Sequence, residues 1–193
     1  PAPYEMTLGL IAFGEIGREV AVRAKPFGFT LIAHDPFVAP AVAARYGVTL
    51  TGLDELLRRA DIVSVHAPLS KETFHLLGAR EFALMKRTAY VINTARGAVI
   101  DQQALIEALQ AGRIAGAGLD VFEREPLEAD SPLGRMENVI LTPHTAGMSD
   151  SSQVAVRHRT ARNIAAALAG DWPETRDLIN PQVKAHPRQG PAA

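Results

Sequence analysis

Short apolar runs alternate with helix-period segments along most of this chain, and that rhythm leaves few folds open. Leu8–Phe13, Thr30–His34, Val48–Leu50, Ile62–His66, Tyr90–Asn93, Gly118–Val121 and Val139–Leu141 are expected as strands. Between them, helices are expected over Gly17–Lys25 (ended by Pro26 and Gly28), Ala39–Tyr46, Leu53–Arg59, around Arg80–Met85, from the cap Asp101 to Ala111, and over Ser151–Ala169. Strands separated by helices must cross over and return parallel, so the expected class is α/β with a doubly wound parallel sheet. Such a sheet binds ligands at the carboxyl ends of its strands. Function is therefore sought in the segments that follow each strand.

The first such segment is Ala12-Phe13-Gly14-Glu15-Ile16-Gly17. An apolar strand, a glycine turn and a helix start form a site where helix amides and the helix dipole can hold a pyrophosphate. Ala12 stands where the strict dinucleotide fingerprint has its first glycine, so alone the turn is weak evidence. Asp35 lies 18 residues beyond Gly17, at the end of the second strand. A carboxylate there accepts hydrogen bonds from ribose hydroxyls and repels a 2′-phosphate, which selects NAD over NADP; an Asx turn before Pro36 would look the same.

Later strand ends carry more. His66-Ala67-Pro68-Leu69 can line the adenosine side with backbone, while the His66 side chain reads as structural. His34, His75 and His158 carry no motif and read as surface or packing residues. Arg96, beside Gly97 after the fifth strand, suits a carboxylate through its planar fork, or is a surface arginine. Asp120 ends the sixth strand, Glu125 follows in an acidic loop, and His144 stands just beyond the seventh. A histidine oriented by a carboxylate there can act as a general base near neutral pH.

Composition closes off other classes. The net charge is −1 with no basic block, which gives nucleic acid nothing to bind. There are no cysteines, hence no disulfide, thiolate chemistry or cysteine-held metal, which fits a cytoplasmic enzyme. No apolar run approaches the roughly 20 residues of a membrane span. With 193 residues the chain can build one large domain, expected to reach residue 183 with a change of character from about 170 and a disordered tail over 184–193. It starts at Pro1 without methionine, as an excised domain or trimmed chain would.

Taken jointly, Ala12–Gly17, His34–Pro36, His66–Ser70, Ile92–Gly97, Leu119–Pro126 and Thr142–Ala146 resemble the Rossmann-type NAD-binding domain of the D-isomer-specific 2-hydroxyacid dehydrogenases. The resemblance runs from Leu8 to about Val183, and Asn180-Pro181 is similar to the family's terminal return segment. It implies His144 as general acid/base, Glu125 as its partner and Arg96 as the group that binds substrate carboxylate. It implies Gly14, Glu15, Ile16 and Gly17 at the pyrophosphate, Asp35 at the ribose, and Pro68 and Thr73 on the adenosine side. Thr94, Ala95, Arg96, Asp120, His144, Ala146 and Gly147 would surround the nicotinamide, with Asp120 on its carboxamide. It further implies a small 2-hydroxy or 2-keto acid substrate, a homodimer, and no metal.

Two departures stand out. Alanine at position 12 is acceptable only if its φ stays negative, with a small shift of the turn and weaker cofactor binding expected. The family's separate substrate domain is largely absent from this chain, so the chain alone should bind NAD(H) and turn over poorly. Formate and phosphite dehydrogenases share this cofactor domain; the formate enzymes resemble a Gln–His pair, so Glu125 argues against them and leaves phosphite oxidation open. NAD(H)-responsive corepressor modules, a binding function rather than catalysis, can retain the same Arg/Glu/His trio.

Overall fold

In the computed structural model, which describes residues 1–185, the strands are β1 (Thr7–Ile11), β2 (Thr30–His34), β3 (Thr49–Leu50), β4 (Ile62–Val65), β5 (Tyr90–Asn93), β6 (Gly116–Leu119) and β7 (Val139–Leu141). The helices are α1 (Glu15–Ala24), α2 (Pro40–Arg45), α3 (Leu53–Arg59), α4 (Ala79–Leu84), α5 (Gln102–Gln110) and α6 (Asp150–Leu168). The strands form one parallel sheet in the order β3-β2-β1-β4-β5-β6-β7. The order reverses between β1 and β4, which places the crevice at the ends of those two strands, beside the glycine turn.

Both faces of the sheet are covered, as a parallel sheet requires. Leu8, Leu10, Phe13, Ala21, Leu31 and Ala33 form the core under α1 and α2. Ile11, Leu56, Leu57, Phe82, Leu105 and Ile114 belong to the larger core on the opposite face, with α3, α4 and α5. Gly9 lets α3 approach the sheet: a Cβ there would stand 2.7 Å from Leu56 Cδ2.

Several boundaries differ from the sequence reading. β1 ends at Ile11 rather than Phe13, because the backbone turns at Ala12 (φ +68). The condition that Ala12 keep a negative φ is therefore not met, and its side chain sits in the left-handed region. α1 starts two residues before the expected Gly17, with Gly14 as N-cap, and Pro26 lies in a 3-10 turn, Lys25–Phe27, that ends at Gly28 (φ +85). β6 lies two residues earlier than Gly118–Val121, since Tyr90 pairs with Gly116 and Asn93 with Leu119. Asp120 is thus the first residue past the strand, and the apolar Val121 and Phe122 are buried in the following loop.

The chain divides into two compact units, Pro1–Ala146 and Gly147–Ala193. The first contains the whole sheet. The second, taken by itself, contains α6, whose N-cap Ser149 accepts the Ser152 amide at 3.1 Å, and two 3-10 turns, Thr175–Asp177 and Pro181–Ala185. This division lies earlier than the change near residue 170 expected from sequence. Of the expected disordered tail, Lys184 and Ala185 complete the last 3-10 turn, and 186–193 lie outside the described residues.

Candidate active site

The glycine turn is braced from inside. Asp35, one residue past β2, accepts the Phe13 amide on Oδ2 at 2.8 Å and the Phe37 amide on Oδ1 at 2.9 Å. One carboxylate thus fixes both the turn after β1 and the loop after β2. Gly17 has no room for a side chain, since its Cβ would lie 2.6 Å from Ala12 O. Gly14 is open, with nothing within 4 Å of such a Cβ. Beside them a cavity of about 390 Å³ is lined by Ile11, Ala12, Asp35, Pro36, Pro68 and Thr73, among others. Thr73 Oγ1 donates to Pro68 O at 2.5 Å, closing the loop after β4. Ser64 Oγ and His66 Nε2 are 3.0 Å apart, and burial pushes the His66 imidazole down to about 4. It is a neutral, structural histidine.

After β5, buried Asn93 organises the arginine loop. Its Oδ1 accepts the Ala95 amide at 3.0 Å and its Nδ2 donates to Arg96 O at 3.0 Å. The Arg96 side chain is exposed and donates to Ala95 O at 2.6 Å. A Cβ on Gly97 would fall 1.9 Å from the Phe122 carbonyl, so this loop lies directly against the one that follows β6.

The His144 segment is wrapped around Asp120. The Asp120 carboxylate, 4 % exposed, accepts Thr142 Oγ1 at 2.5 Å, the Thr145 amide at 2.8 Å and the Ala146 amide at 2.9 Å. Burial pushes its pKa up, but the Thr142 hydroxyl, the two amides and nearby His144 together hold it below the usual carboxylate value. Asp120 O accepts the His144 amide at 2.8 Å, and His144 takes a left-handed backbone with φ +55. Its Nδ1 is 2.8 Å from Glu125 Oε2, while Glu125 Oε1 accepts the Phe122 amide at 3.1 Å. The bond from His144, helped by that amide, holds the Glu125 carboxyl low. A carboxylate on Nδ1 fixes the proton there and leaves Nε2 to act on a ligand. Phe122, Glu125, Pro126, Leu141, Thr142 and His144 border a cavity of about 420 Å³.

Strand register gathers these groups at one edge. Asn93, Leu119 and Leu141 are neighbours across β5, β6 and β7, and Arg96, Asp120 and His144 follow them by one to three residues. Asp35, Gly14 and Pro68 occupy the same carboxyl edge at β2, β1 and β4. The braced helix start, the open Gly14, the second-strand carboxylate and the adjoining cavity fit an adenine dinucleotide. Glu15 fits it least: an exposed carboxylate in the first turn of α1, where the diphosphate would lie.

Comparison with known proteins agrees with this geometry. Residues 2–146 match the family described as D-isomer specific 2-hydroxyacid dehydrogenase, NAD binding domain. The chain belongs to that family. It is 43% identical over 180 residues to a glyoxylate reductase of Korarchaeum cryptofilum, covering 93% of this chain and 54% of the relative. It is 44% identical over 172 residues to a D-3-phosphoglycerate dehydrogenase of Methanocaldococcus jannaschii, covering 89% of this chain and 33% of that protein. The crystal structure of D-lactate dehydrogenase with NAD+ from Lactobacillus jensenii superposes with a TM-score of 0.81 at 36% identity, over 90% of this chain and 56% of that one. The chain thus spans about half or less of the length of these relatives. As the NAD-binding domain of this dehydrogenase family, it has NAD as its cofactor.

The structure brings together Glu125 and His144, and Asp120 with the Thr142–Ala146 segment. Gly147 begins the second unit, where its carbonyl accepts Ser152 Oγ at 2.9 Å. Sequence reasoning missed Asn93, Thr142, Glu123 and His75. An asparagine ending a strand before Thr-Ala-Arg-Gly is an Asx-turn signal that would have found Asn93. Nothing local marks the others, because their partners are distant in the chain.

Proposed function

We propose that this chain is the cofactor-binding and proton-transfer part of an NAD-dependent enzyme that interconverts a D-2-hydroxy acid and a 2-keto acid. The Glu125–His144 pair carries the reading, because a carboxylate-oriented imidazole past the last strand is a ready proton donor and acceptor. Gly14, Glu15, Ile16 and Gly17 hold the diphosphate by backbone amides, Asp35 the adenosine ribose, and Pro68 and Thr73 the adenosine side. Thr94, Ala95, Asp120 and Ala146 border the nicotinamide. NAD(H) held by these residues would supply the hydride donor or acceptor for the substrate C2. His144 Nε2 takes the proton of the C2 hydroxyl during oxidation and returns it during reduction. Glu125 stabilises the imidazolium between those events. Arg96 pairs with the substrate carboxylate through its two-pronged guanidinium and polarises the adjacent carbonyl.

In the enzyme that carries this chain, NADH oxidation is measured with glyoxylate, hydroxypyruvate and pyruvate. One of them should be reduced, and His144→Ala and Arg96→Ala should each lower kcat by about 100-fold or more, the usual scale for a proton-transfer or charge-pairing group. Saturable NADH binding with no keto acid turned over, or near-normal turnover in His144→Ala, overturns the reading. We also infer from the family resemblance a cytoplasmic homodimer, which light scattering of the purified protein tests.

A further inference from the structure

Glu125 has a neighbour of the same charge, two residues earlier, that faces a different set of partners. Glu123 Oε1 accepts the Gln102 amide at 2.8 Å, and the Glu123 amide donates back to Gln102 Oε1 at 3.3 Å. The same Glu123 Oε1 is 2.9 Å from His75 Nε2. His75 in turn has Nδ1 3.8 Å from Asp101 Oδ2, while Asp101 Oδ1 caps α5 through the Ala104 amide. The imidazole is set in place by a left-handed backbone (φ +51), an amide bond to Ala98 O at 2.9 Å and a stack on Phe74 at 3.9 Å. His75, Asp101 and Glu123 are each about a third exposed.

These contacts fasten the loop after β6 to two other parts of the molecule, the start of α5 and the segment before α4. Phe122, next to Glu123 in the chain, has little freedom: it is buried, its carbonyl abuts Gly97, and its amide is bonded to Glu125 Oε1. We propose that Glu123, held by Gln102 and His75, is a positioning residue that keeps the Glu125 carboxylate on His144 Nδ1. Its value to catalysis rests on the proton-transfer role given to that pair above; its geometric role does not. Glu123 touches neither His144 nor the reacting atoms, and it acts by fixing where Glu125 can stand.

The test follows the Glu125 side-chain carboxyl by carbon-13 NMR through an acid titration in the chain itself, with no cofactor or turnover needed. Three groups face that carboxyl or act on it, His144, the Phe122 amide and the charge of Asp120, and Glu123 stands two residues away in the chain. The variants are Glu123→Ala and His75→Gln, each checked for a cooperative unfolding transition. If Glu123 positions Glu125, the carboxyl is freed from His144 in both variants and its titration midpoint moves up. A through-space effect of charge has the opposite sign in Glu123→Ala, because deleting a nearby negative charge eases ionisation. A midpoint that is unchanged or lower, or a rise confined to one variant, overturns the proposal. Should either variant fail to fold, Gln102→Ala replaces it, since it removes only the acceptor for the Glu123 amide. In the enzyme that carries this chain, the same substitutions should lower kcat by about tenfold with KM for NADH unchanged, as expected for a misplaced proton-transfer group. Lack of turnover in the unsubstituted enzyme would instead count against the functional reading and leave the titration to decide this one.

Discussion

Ala12 carries a cost that a glycine would not. With φ at +68 its Cβ crowds its own carbonyl, a conformation that costs an L-residue about 1 kcal/mol. Ala12→Gly should therefore raise stability by about 1 kcal/mol in urea unfolding. His66 gives a pH dependence with a definite sign. Its folded pKa is depressed to about 4 from an ordinary 6.5, so between those values the unfolded chain binds a proton that the folded chain does not. Stability is full above pH 6.5 and falls as pH drops toward 4, by at most about 3 kcal/mol. His66→Asn, compared by thermal unfolding at pH 7 and pH 5, should lose less on acidification than the unsubstituted protein.

Helix α1 shows a conflict between folding and binding within one turn. Glu15 sits at the positive end of the helix, where a carboxylate stabilises it by a few tenths of a kcal/mol. The same end is where the cofactor diphosphate is proposed to lie, so the two anions compete. Glu15→Gln should lower the melting temperature slightly and lower the NADH Kd, and the improvement should shrink as salt rises. The strands and helices themselves were largely legible, because a two-faced apolar strand and a helix stripe announce themselves locally. β6 is displaced as a whole: Gly116-Ala117-Gly118 lacks the bulky residues of a strand, while the apolar Val121 and Phe122 point two residues too far along the chain. Each of its glycines is explained by a close neighbour, Asn138 O at 2.5 Å from a Cβ on Gly116 and Ile92 Cδ1 at 3.0 Å on Gly118. At the candidate site, Arg96, Glu125 and His144 could be singled out by residue type and strand-end position. The supporting contacts of Thr142, Glu123 and His75 could not, since each joins segments far apart in sequence.

Over the molecule, burial is uneven. The sheet unit buries an apolar core on both faces and still leaves Ile16, Phe37 and Ile140 exposed, whereas α6 buries no residue and leaves Val154, Val156, Ile164 and Leu168 more than half exposed. Exposed apolar residues spaced along a helix favour association. Ile164→Gln with Leu168→Gln should reduce concentration-dependent association in sedimentation velocity and leave the NADH Kd unchanged. The close approach of Gly97 to the Phe122 carbonyl has a further meaning for how such proteins can diversify. The Arg96 loop and the Glu125 loop are in such intimate contact that neither can be exchanged alone for a differently shaped counterpart. They behave as a single cassette: a chimaera spliced between residues 97 and 122 would split it, so a working pair needs both loops from one parent.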